Sequence, residues 1–165
     1  MSNFNYSKQR HLELLKLKYS QEKVLTSKEK SELSKYSSVL DSHLDWETRE
    51  QYIELLKKLI SRKIDSFKFC IEFQKRNELN GEIFDSLEAN FLLLSPHEKS
   101  IQFSDFIIEI LNFCYSHFEV FESDIPREKF DSYELEFRNS IEKVYFKIQN
   151  FLNEENPIHT TNLCR

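Results

Sequence analysis

A single glycine, Gly81, stands in 165 residues, beside only three prolines. Tight hairpins and dinucleotide-binding turns need residues at positive φ, which glycine supplies without steric cost. All-β folds and Rossmann-type sheets are therefore disfavoured, and the chain is expected to be all-α. Fifteen phenylalanines within 39% hydrophobic residues are enough for a core of one domain.

Apolar spacing and capping residues place the helices. Residues 7–24 have helical composition, with Leu12, Leu15 and Tyr19 on one stripe. "TSKE" reads as a capping box, Thr26 with Glu29, opening a short helix to about Val39. Asp45 is a plausible N-cap for 46–62, where Tyr52, Leu56, Leu59 and Ile60 share a face. Asp65 can cap the next helix, with Phe67, Cys70, Ile71 and Phe73 inward, until Asn80-Gly81 stops it.

A helix restarts with Phe84, Leu87, Phe91 and Leu94 expected in the core. "SPHE" offers Ser95, Pro96 and Glu98 as a new start, with Ser104 as an alternative. Residues 102–120 repeat Phe103, Phe106, Ile107, Ile110, Leu111, Cys114 and Phe118 at helical spacing. The last helix, about 132–153, carries Phe137, Ile141, Val144, Ile148 and Phe151 at alternating steps of four and three. That seam suits a bundle. The expected organisation is a helical extension over 1–45, a four-helix-bundle-like domain over 46–153 and a tail over 154–165.

Searches for catalytic and cofactor motifs give nothing. There is no Walker loop, GxSxG or GxGxxG. The five histidines join no cluster at zinc-ligand spacing, and Glu-x-x-His, the di-iron bundle motif, does not occur. Cys70, Cys114 and Cys164 are far apart and read as reduced thiols, the first two on apolar faces. No metal or cofactor is expected. No signal-peptide core opens the chain and no apolar run approaches a membrane span, so a soluble protein is expected. Abundant Lys, Asn, Ile, Phe and Ser suggest an AT-rich genome, hence a bacterial cytoplasm or a plastid stroma.

Charge is the remaining signal. Residues 1–80 carry sixteen basic and twelve acidic groups, a net of +4, whereas 105–138 carry nine acidic and three basic, a net of −6. The cluster Lys57, Lys58, Arg62, Lys63, Lys68, Lys75 and Arg76 is interleaved with acids and reads as a solvated face, with RNA binding a weaker alternative. The acidic stretch FEVFESDIPREKFDSYELEFR, residues 118–138, mixes carboxylates with Phe118 and Phe121. A carboxylate near a helix C-terminus, such as Glu119, is opposed by the helix dipole, so local energetics do not account for it. Glu134 and Glu136, near a helix N-terminus, need no further reason.

Three segments carry a family resemblance. "YIELLKKLISRKIDSFKFCIEFQKR", 52–76, resembles the opening helices of the colicin D immunity family. "EVFESD", 119–124, is similar to its D-x-Y-E-P-D, with Ser123 in place of the usual proline. "ELEFRNSIEKVYFKI", 134–148, resembles its closing helix. The resemblance spans about 47–152, and residues 1–45 exceed a typical member. It implies a small, non-enzymatic four-helix protein that neutralises a tRNA-cleaving toxin by covering its basic active site with carboxylates. Glu119, Phe121, Glu122, Asp124, Glu128 and Asp131 are then the partner-binding residues. The alternative is an adaptor subunit of a larger assembly, such as one in a plastid, motivated by the lysine-rich 1–45 segment.

Overall fold

A computed structural model describes residues 6–20, 24–121 and 127–154; of Phe121, Arg127 and Glu128 it describes the backbone alone. Six helices occur among the described residues: α1 (Lys8–Tyr19), α2 (Ser27–Glu47), α3 (Arg49–Ile60), α4 (Ser66–Ala89), α5 (Ser100–Phe121) and α6 (Arg127–Asn153). The architecture is all-α and bundle-like. α5 is central, packing on α2, α6 and α4, while α3 closes against α4 and α6.

The main core is built from the seams expected of α3, α5 and α6. Tyr52, Leu56 and Leu59 meet Phe103, Ile107, Ile110 and Cys114, and the whole α6 seam from Phe137 to Phe151 is buried with them. On α4 the buried residues are Phe69, Cys70 and Phe73, whereas Phe67 and Ile71, expected inward, are exposed. A second cluster holds Leu14 and Leu15 of α1, Leu33, Tyr36 and Leu40 of α2, and Leu93, with Phe84 and Leu94 at its edge. Phe91, expected in the core, is exposed.

Capping explains several boundaries. Thr26 makes the full capping box with Glu29, its Oγ1 accepting from the Glu29 N–H at 3.3 Å while Glu29 Oε2 accepts from the Thr26 N–H at 2.8 Å. Asp65 Oδ1 accepts from the Lys68 N–H at 2.7 Å. Three expected boundaries are corrected. α5 starts at Ser100, after neither Ser95 nor Ser104 as cap. α6 starts at Arg127, five residues before the expected start, so Asp131 lies in its first turns. The stop at Asn80-Gly81 is absent, and α4 runs on to Ala89. The left-handed residues that close helices are Arg62 after α3 (φ 57°) and Phe91 after α4 (φ 56°). Each is followed by an N–H that reaches back five residues, from Lys63 to the Lys58 carbonyl and from Leu92 to the Leu87 carbonyl.

The largest correction concerns Asp45. It does not cap a new helix. α2 continues through it to Glu47, across the expected boundary at 45 and 46, and Asp45 is buried. Its Oδ1 accepts from Tyr52 Oη at 3.1 Å and from Asn80 Nδ2 at 3.0 Å, and its Oδ2 accepts from Ser104 Oγ at 2.8 Å. Asn80 Nδ2 also reaches Thr48 Oγ1 at 3.0 Å, and Arg76 donates to Asn80 Oδ1 and, at 2.8 Å, to Gln51 Oε1. One carboxylate thus joins α2, α3, α4 and α5. Burial pushes the Asp45 carboxyl above its ordinary pKa, and the three donors pull the other way.

A second buried carboxylate docks α1. Glu88, in the last turns of α4, accepts from Lys18 Nζ at 3.1 Å and from Ser37 Oγ, and His11 Nε2 lies 3.4 Å from its Oε1. Despite burial these partners hold the Glu88 pKa at about 2.

Three outcomes test these contacts. Asp45→Ala leaves three buried donors without their acceptor and is expected to lower stability in urea by roughly 2–4 kcal/mol. Gly81 sits in a helix interior where an added Cβ meets nothing within 4 Å. Gly81→Ala is therefore expected to raise stability by about 0.5–1 kcal/mol. Glu88 is depressed in the folded state, so its stabilisation is present above the ordinary carboxylate range and lost as pH falls towards about 2. Hydrogen exchange across α1 should accelerate over that fall in the parent, and Glu88→Gln should show fast exchange in α1 already at neutral pH.

Candidate acidic interface at the α5–α6 end

The last turns of α5 and the first turns of α6 meet the N-terminus of α4. His117 of α5 is the centre of this end, buried and stacked on Phe137 at 4.2 Å between ring centroids. Its Nε2 lies 2.8 Å from Ser66 Oγ and 3.5 Å from Glu134 Oε2, and Ser66 Oγ also bonds to Glu134 Oε2. Arg138 completes the cluster. Its Nε donates to Glu134 Oε1 at 2.6 Å and its Nη1 donates to the Leu59 carbonyl, at the end of α3, at 2.9 Å.

Serine, histidine and carboxylate together invite comparison with a catalytic triad, but the geometry differs. A carboxylate only accepts, so the Ser66 hydroxyl donates to Glu134 and His117 Nε2–H donates to Ser66. In a triad the histidine accepts the serine proton through one ring nitrogen and is held by the acid at the other. Here serine and acid sit on the same nitrogen, and Ser66 is buried. The cluster ties α4, α5 and α6 together. Burial pulls the His117 pKa below its ordinary value, with Glu134 opposing and nearby Arg138 acting in the same sense as burial.

In the sequence His117 stands as one of five scattered histidines and Arg138 as part of the closing-helix motif; their convergence with Ser66 is not visible there, because it spans three helices. Spacing gave one usable signal: Glu134 and Arg138 are i, i+4, the separation of an intrahelical ion pair.

The expected partner-binding residues are placed as follows. Glu119 is exposed on the last turn of α5, and Asp131 is exposed near the start of α6. Among the described residues neither enters an ion pair. The side chains of Phe121 and Glu128 lie outside the described part, as do Glu122 and Asp124 entirely. Since α6 begins at Arg127, Asp131 is its fifth residue, past the first turn in which a helix dipole favours an acid, and Glu119 on the last turn of α5 is opposed by the dipole of that helix. Glu134 is turned into the Ser66–His117–Arg138 cluster rather than outward, whereas Glu136 is exposed.

Two open grooves flank the cluster. One, of about 410 Å³, is lined by Asp65, Ser66, Phe67, Phe130 and Glu134. The other, of about 310 Å³ between α5 and α6, has Phe113, Val120, Tyr133 and Glu136 around His117. The basic cluster of α3 and α4 is a solvated face, and part of it borders this end: Lys57, Arg62, Lys63, Lys68 and Lys75 are exposed, Lys68 lies in the first turn of α4, Arg62 lines a groove with Arg138, and Arg76 is committed to Asn80 and Gln51. Among the described residues no three His, Cys, Asp or Glu converge to hold a metal ion, and no helix is long and apolar enough to cross a membrane.

Comparison with protein-family models, with curated proteins and with solved structures gives no significant match. The resemblance to the colicin D immunity family rests on the quoted motifs.

The His117 environment makes a pH-dependent prediction. A histidine whose folded pKa is depressed contributes stability that is present above its unfolded value, about 6.5, and lost as pH falls below it. The stability advantage of the parent over His117→Gln should therefore shrink between about pH 7 and pH 5 in urea titrations. An advantage that does not change with pH would show that His117 is not held neutral by its surroundings.

Proposed function

We propose that the chain is a non-enzymatic binding protein whose α5–α6 end receives a basic surface of a protein partner. The observation that carries this reading is the absence of any lysine or arginine from α5, whose charged residues other than buried His117 are Asp105, Glu109 and Glu119. Glu109 is paired with Lys147 of α6 at 2.8 Å, while Asp105 and Glu119 are exposed without an ion pair among the described residues. Arg138, one of three cations in the acidic 105–138 stretch, is spent inward on Glu134. That pair withdraws one charge of each sign, so the surplus of acids over bases in this stretch is unchanged by it.

The resemblance supplies the partner class: a tRNA-cleaving ribonuclease whose cleft, built for phosphates, accepts carboxylates instead. Glu119, Glu122, Asp124, Glu128 and Asp131 would pair with its arginines and lysines, with Phe121 as apolar support. Such a protein acts where the toxin acts, in a bacterial cytoplasm or a plastid stroma. The adaptor reading loses part of its motive, because α2 is committed to the core and only α1 and the outer face of α2 remain of the lysine-rich segment.

The test is tRNA cleavage by a basic nuclease domain encoded beside the gene. Equimolar protein should suppress cleavage, and Glu122→Lys with Asp124→Lys should weaken the complex about 100-fold or more at low salt. Undiminished cleavage at saturating protein would contradict the reading.

A further inference from the structure

The outer face of α5 carries a regular ladder. Ile101, Ile108 and Tyr115 stand at i, i+7 and i+14, and each is about half exposed, at 53%, 52% and 53%. Single exposed apolar residues are ordinary on a protein surface, but three at heptad spacing on one helix form a seam of the kind a second helix packs against. The positions four residues after each rung are exposed too, and they are Asp105, Asn112 and Glu119. The inward side of the helix is fully used: Phe103, Ile107, Ile110 and Cys114 are buried against α3, α4 and α6. The ladder is therefore what α5 leaves unpartnered, about 21 Å of helix from the first rung to the last at 1.5 Å per residue.

Resting on the binding-protein reading above, we propose that this ladder is the docking surface for a cationic amphipathic helix of the partner. Its apolar residues would interleave with Ile101, Ile108 and Tyr115, and its lysines or arginines would meet Asp105 and Glu119. Charge complementarity selects this occupant. A second copy of the chain would set the acids of one α5 against another α5 that has no cation to offer. An anionic lipid surface or a nucleic acid would be repelled by the same carboxylates. Glu119 belongs to both the ladder and the α5–α6 end, so the two surfaces are continuous and the partner's basic region would extend along α5.

The experiment uses the full chain and a fluorescent Lys/Leu peptide of about three heptads, with leucine at the a and d positions, at about 0.15 M salt. Ile108→Ser and Tyr115→Ser are each expected to weaken peptide binding about tenfold or more, with thermal stability unchanged. Leu135→Ser, at an exposed apolar residue of α6, and a peptide with glutamate in place of lysine serve as controls: the first should bind like the parent, the second should not bind. The proposal is overturned if Ile108→Ser binds like the parent, if Leu135→Ser weakens binding equally, or if sedimentation shows a dimer that Ile108→Ser dissolves. Glu122→Lys with Asp124→Lys separates the two claims. If it abolishes nuclease inhibition while Ile108→Ser and Tyr115→Ser have no effect on nuclease or peptide, the acidic end stands and the ladder falls. If the ladder variants weaken peptide binding while the charge reversals leave nuclease binding intact, the ladder stands and the acidic end falls.

Discussion

One buried carboxylate organises this molecule. Asp45 takes hydrogen bonds from Tyr52 of α3, Asn80 of α4 and Ser104 of α5 while sitting on α2 itself. A buried charge is costly unless its acceptors are filled, so these partners must arrive together, in one register. Apolar seams tolerate some sliding of one helix along another. A carboxylate with three donors from three helices tolerates much less. The knot therefore sets how far α2 runs along α5 and why α4 does not end at Asn80, whose amide is needed there.

The helical class and most of the core could be read from the chain. The α6 seam, Thr26 with Glu29 and the Asp65 cap are local patterns, and local patterns are what a sequence displays. The misplacements share one cause. Asp45 looks like an N-cap and Asn80-Gly81 looks like a stop because both are judged against their chain neighbours. In the folded protein each is governed by residues 7–59 positions away. On α4, Phe67 and Ile71 fit an apolar stripe as well as Phe69 does, and the choice between faces is made by other helices, such as α6, whose Phe137 meets Phe69 in space. Of the candidate site, the acidity of 105–138 was visible, but the withdrawal of Glu134 and Arg138 into the Ser66–His117 cluster was not, because it needs three helices at once.

The two polar clusters divide the work. The Asp45 knot fixes the middle of the bundle, and the Ser66–His117–Glu134–Arg138 cluster fixes the end where α5 hands over to α6. Between them α5 is held as a central helix with its buried side filled. What it shows to solvent is acidic and regularly apolar, with no cation along its length. A surface held in place in this way loses little entropy when a partner covers it, which favours tight association without chemistry. The proposed role as a binding protein follows from that presentation rather than from any cleft.

Through Asp45, α2 and α5 are expected to form one cooperative unit. Native-state hydrogen exchange in low urea measures this directly, amide by amide. The slowest amides of α2 between 33 and 46 should open with the same free energy and the same urea dependence as those of α5 between 103 and 114. If the α2 amides instead open separately, with a smaller urea dependence and well before α5, then the helix is an accessory to the bundle and Asp45 does not hold it together.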